Sequence, residues 1–90
     1  MPYITPEAQQ QFVGATRPVI QNPGTLNFYI TQVLDDYLRI NGLTYTNINA
    51  TIGVLECAKL ELYRRVAVPY EDTKCRDNGD VYSEDNLGEV

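Results

Sequence analysis

Residues 51–68, TIGVLECAKLELYRRVAV, constrain this chain more than any other stretch, because they combine helical spacing of apolar residues with two charges set into the apolar stripe. At about 100° per residue, Ile48, Ile52, Leu55, Leu62, Tyr63 and Val66 fall on one broad face, and Glu56 and Lys59 flank its centre. A buried ion pair is costly unless each charge is partnered, so on a buried face these two residues mark a site or a specificity device. On an exposed edge the same i,i+3 spacing is an ordinary ion pair, contributing about a few tenths of a kcal/mol.

The spacing predicts a helix that starts near Thr46 or Asn47, either of which can cap it, and runs to about Val68, because Pro69 disfavours helix at the residue before it. Val54, Cys57 and Val68 lie in the other sector, beside Glu61, Arg64 and Arg65. A helix with apolar residues on two sides expects neighbours on two sides. In a chain of 90 residues, too short for a thick core, that implies a partner subunit.

The remaining elements follow from their punctuation. Thr5-Pro6-Glu7 starts a short helix that reaches about Val13, with Gly14 as its stop. Residues 15–24, with two prolines and an Asn-Pro-Gly triplet, read as a connecting loop. Thr25 is the expected cap of a second long helix that presents Leu26, Ile30, Val33, Leu34, Tyr37 and Leu38 on one face and stops at Gly42. After Pro69 the apolar pattern fades, and Asn78-Gly79 is a turn signal that suits a small hairpin pairing residues 73–76 with 80–82. The expected architecture is all-α: a small helical domain of about three helices, one short and two long and antiparallel, over residues 1–70, followed by an acidic tail or small hairpin over 71–90.

Charge supports that division. The net charge is −5, yet residues 1–70 balance Glu7, Asp35, Asp36, Glu56 and Glu61 against Arg17, Arg39, Lys59, Arg64 and Arg65. The whole excess therefore sits in the tail, which argues against duplex nucleic acid there and leaves the neutral body free to hold a small anion through a local basic cluster. No apolar run reaches membrane-spanning length and no basic-then-apolar leader is visible, so a soluble chain with no membrane partner is expected.

Catalytic equipment is sparse. There is no histidine, Ser83 is the lone serine, and Cys57 and Cys75 have neither metal-ligand spacing nor a disulfide framework, which suits a reducing compartment. Asp35-Asp36 and Glu56 with Glu61 lack the spacing of helical carboxylate metal sites, and adjacent aspartates diverge by about 100° on a helix. No catalytic residue, cofactor or metal ligand is therefore assigned. The candidate ligand-binding residues are Glu56, Lys59, Tyr63, Arg64, Arg65 and Tyr70: guanidinium forks and an ammonium for phosphate, with aromatic faces for a base. The plainer reading is that both arginines are solvated and meet the acidic tail. Seven tyrosines against two phenylalanines and no tryptophan favour amphipathic contact surfaces.

GTLNFYIT at 24–31, YTNINATIGVLECAKLELYRRVAVPYED at 45–72 and NGDVY at 78–82 resemble a family of small proteins of tailed bacteriophages and prophages that carries no settled activity. The first 23 residues and the end after Tyr82 match it less well. The resemblance implies a viral protein acting in the cytoplasm of an infected bacterium. Small phage proteins without catalytic groups often bind a host component. The leading expectation is accordingly a non-enzymatic homo-oligomer that sequesters a small anionic, nucleotide-like signal of host defence. Two alternatives stand: an inhibitor or adaptor that engages a host protein through the acidic tail, and, last, a metal-dependent nucleotide hydrolase.

Overall fold

A computed structural model describes residues 3–88, which are all-α, with no strand among them. Helix α1, Pro6–Gln9, is capped by Thr5, whose hydroxyl accepts from the Ala8 amide at 3.2 Å, and it tightens into a 3-10 turn at Gln10–Phe12. Helix α2, Pro23–Asn41, begins earlier than predicted. The Asn22 side chain, rather than Thr25, is the cap, accepting from the Thr25 amide at 2.8 Å. The Asn-Pro-Gly triplet read as a turn is thus a cap followed by a first helical turn, where proline's fixed φ and missing N–H cost nothing.

Gly42 ends α2 at φ +109, a conformation that L side chains rarely adopt, and its amide returns to the Leu38 carbonyl at 2.8 Å. Helix α3, Tyr45–Leu62, starts at once from Thr44, which accepts from the Asn47 amide at 3.1 Å. The predicted caps, Thr46 and Asn47, both lie inside the helix. Asn47 instead clasps the end of α2, donating from Nδ2 to the carbonyls of Asn41 at 3.1 Å and Gly42 at 2.9 Å. That clasp ties the two arms of a helical hairpin together at the bend.

Pro69 does not stop the third helix. A π-helical turn at Tyr63–Ala67 intervenes, with the Val68 amide donating back to the Tyr63 carbonyl, and helix α4, Val68–Asn78, continues with Pro69 in its first turn. Proline has no N–H to give the Arg65 carbonyl and its ring would crowd that carbonyl in a regular turn, so widening the turn lets the helix proceed. The result is a kinked run of 34 helical residues. Its length of about 51 Å at the α-helical rise accounts for the longest dimension of the molecule, 50 Å. Asn78-Gly79 terminates α4, with Gly79 at φ +87, and the expected hairpin across it is absent because its first strand is helical. Helix therefore also runs through residue 70, where the composition changes.

The largest departure from expectation is the core. Among the described residues no apolar side chain is buried, and Thr51, at 8% exposure, is the one buried residue. Ile48, Ile52, Leu55, Leu62, Tyr63 and Val66, predicted to pack inward, are all exposed. On α2 only Leu34 and Leu38 of the predicted face, together with Tyr29, are half-buried. Turned away from solvent on α3 is instead a mixed strip of Asn47, Thr51, Cys57 and Glu61. Helices α2 and α3 touch sparingly, and the radius of gyration is 18.1 Å against about 12 Å for a compact chain of this length.

Candidate functional site

Of the candidate ligand-binding residues, Glu56 and Lys59 form the plain edge pair. Lys59 Nζ lies 3.1 Å from Glu56 Oε1 with both side chains more than half exposed, so their charges carry no burial cost. Arg64 also stays within its own helix. Its guanidinium donates to Glu61 Oε1 at 2.5 Å, rather than meeting the acidic tail. Tyr70 is occupied as well, with the Lys74 ammonium 5.5 Å from its ring centroid.

Glu61 organises what remains. Its side chain is 18% exposed, and the Tyr3 hydroxyl, from the far end of the chain, donates to Oε1 at 2.6 Å. The Tyr3 hydrogen bond, followed by that from Arg64 and the charges of Arg64 and Arg65, holds the Glu61 carboxyl below the ordinary carboxylate value, against partial desolvation. Arg65 makes no ion pair among the described residues. It lines a shallow concavity with Tyr3, Ala58, Glu61, Leu62 and Val66, which presents a guanidinium, a carboxylate with the phenol bonded to it, and an apolar floor side by side.

The structure thus brings Arg64 and Arg65 to one cluster around Glu61 and leaves Glu56, Lys59 and Tyr70 in local pairs. Tyr63, in the π turn, is exposed. Tyr3 and Glu61 belong to the cluster but were not candidates. A contact spanning 58 positions leaves no periodicity to find, and the surplus of tyrosines is its single trace in the sequence.

A second concavity lies where the chain after α4 folds back, with Tyr82 and Leu87 facing Asp72 and Cys75. Partial desolvation, then the hydrogen bond and charge of Asp80, push the Cys75 thiol up, away from the reactive thiolate. Asp36 is engaged by Arg39 one turn along α2. No group of three or more potential metal ligands occurs among the described residues. No helix there is long and apolar enough to cross a membrane.

A family model, "Domain of unknown function (DUF6899)", matches residues 1–81. The chain belongs to the DUF6899 family. The match takes in both arms of the hairpin, the π turn, α4 and the Tyr3 that reaches across to Glu61, so every element of the cluster lies inside the family domain. No curated protein and no solved structure matches the chain.

Proposed function

We propose that the chain is a non-enzymatic phage accessory protein that works as a homo-oligomer in the host cytoplasm and holds a small anionic, nucleotide-like ligand between subunits, as a sponge for a host defence signal. The observation that carries the assembly is the missing core: a chain whose apolar residues are all at least partly open to water cannot offset its ordering entropy alone. The ligand reading is supported by the Arg65 concavity. The Arg65 guanidinium, in no ion pair among the described residues, lies with a phenol, apolar side chains and the Glu61 carboxylate in a shallow, open depression; it could take a phosphate joined to a flat ring once a second subunit covers it.

Calorimetric titration with a panel of cyclic, linear and ADP-ribose-type nucleotides tests the ligand. Micromolar binding is expected, and Arg65→Ala should weaken it at least about tenfold by removing a charge-assisted contact. Absence of binding across the panel at micromolar concentrations sinks the ligand reading.

The adaptor reading is favoured by the exposure of Glu71, Asp72, Asp77, Asp80, Glu84 and Asp85. Because α4 extends to Asn78, the discriminating truncation falls after Gly79 and leaves the helix whole. Loss of a captured host protein with nucleotide binding intact would favour the adaptor.

A further inference from the structure

Among the apolar residues left exposed on the two long helices, one set on each is regularly spaced. The regular series is Leu26, Ile30, Val33, Tyr37 and Ile40 on α2, and Ile48, Ile52, Leu55, Leu62 and Val66 on α3 and its π turn, with Lys59 in the one position that would complete it; Phe28, Tyr45, Val54, Leu60 and Tyr63 are exposed outside it. Both series advance by alternating steps of four and three residues, the a/d pattern of helices that pack along a seam. On α3 the a positions are Ile52, Lys59 and Val66 and the d positions Ile48, Leu55 and Leu62. Branched a residues with leucine at d favour two strands in parallel coiled coils, a pattern that α3 follows at four of these six positions, and one lysine at an a position fixes register at a cost in stability.

Area indicates how much surface of the whole chain, the seams included, is missing a neighbour. The chain exposes 8283 Å², whereas a compact monomer of its mass, 10.2 kDa, exposes about 5,300 Å². The excess, about 3,000 Å² per chain, exceeds the roughly 800 Å² per partner of a standard interface and fits an obligate one.

We infer that a second copy of this chain docks along the α2 and α3 seams to form an obligate homodimer, with Lys59 as the register residue inside the seam. The inference rests on the homo-oligomeric part of the proposed function and not on its ligand. Leu62 and Val66 belong to both the seam and the floor of the Arg65 concavity, so the partner that covers the seam also closes the concavity.

Glu56 acquires a purpose in this arrangement. At the e position beside the seam, it holds the Lys59 ammonium at 3.1 Å and keeps it partnered as the interface excludes water.

Sedimentation equilibrium and thermal unfolding of the full-length protein test the assignment. The wild type should sediment as a dimer at micromolar concentration, and its Tm should rise by about 4 °C for each tenfold increase in concentration, from the enthalpy expected of two such chains unfolding together. Ile52→Glu and Ile30→Glu should weaken the dimer by about a hundredfold or more. Val54→Glu is the control: Val54 is as exposed as Ile52, at 62% against 60%, but lies about 120° off the seam, so the dissociation constant should change by less than about threefold.

Lys59→Leu completes the apolar series and should tighten the dimer by about tenfold, a gain that loss of folding cannot imitate. A monomer with a concentration-independent Tm overturns the inference. So does a dimer that Val54→Glu weakens as much as Ile52→Glu, or one that Lys59→Leu loosens. A dimer with these responses that binds no nucleotide leaves the seam standing and removes only the ligand.

Discussion

Tyr3 and Glu61 form the contact that pins the start of the chain to the long helix, and its chemistry makes it sensitive to acid. The Glu61 carboxyl is held below its ordinary value in the folded chain, so the stabilisation it provides is complete above the unfolded-state value and disappears as pH falls through the folded one. Acidification should therefore release the N-terminal segment, read by hydrogen exchange at α1. Tyr3→Phe should move the Glu61 titration, followed by carboxyl NMR, up toward the ordinary value. An unchanged titration would mean that Arg64 and Arg65 set it without Tyr3.

Asn47 carries a second residue-scale prediction. Asn47→Ala removes both donations to the end of α2, and the loss, chiefly at the half-buried Gly42 carbonyl because Asn41 is exposed, should cost about 1 kcal/mol, measured by urea unfolding. Neither contact was legible in the sequence. An asparagine near a helix start is ordinarily a cap, and only the short link through Gly42 turns this one toward the preceding helix.

At the scale of the element, the π turn is where local rules and the fold part company. Pro69 was expected to end the third helix near Val68 because a proline disfavours helix at the residue before it; Val68 is nonetheless helical, and one widened turn absorbs both that crowding and the missing donor. That compromise also sets which way α4 faces, since the wide turn shifts every later residue around the helix axis. Pro69→Ala restores the missing donor and should let the turn close into a regular α-helix, raising Tm and helical circular dichroism while displacing Tyr70 and Lys74 around the axis. A lower Tm would show that the widened turn is held by packing rather than by proline. The other boundaries were legible to the extent that one side chain decided them: Thr5 and Gly42 did so from sequence. Asn22 took the role expected of Thr25 because the proline after it is already preorganised for the first turn.

On the scale of the whole molecule, helical periodicity picked out an apolar stripe on each long helix but could not say what covers it, and other apolar residues, Val54 and Leu60 among them, lie exposed outside it. Repeat spacing records that a face is apolar, and a face packed inside one chain is written with the same residues as a face packed between two. The open hairpin and the surface left on it separate these cases, and they lead to a prediction about unfolding. A chain of 10.2 kDa exposes about 14,800 Å² when unfolded, so the single chain with 8283 Å² exposed hides about 6,500 Å², whereas a compact fold of this mass hides about 9,500 Å². The urea m-value follows the area exposed on unfolding. If a second copy covers the excess, the wild type should unfold with an m-value per chain typical of compact monomers of its length. If the hairpin stands alone, the slope should be about two thirds of that. A small slope together with a midpoint independent of protein concentration would mean that the exposed faces remain in water, and assembly through the seams would have to be abandoned.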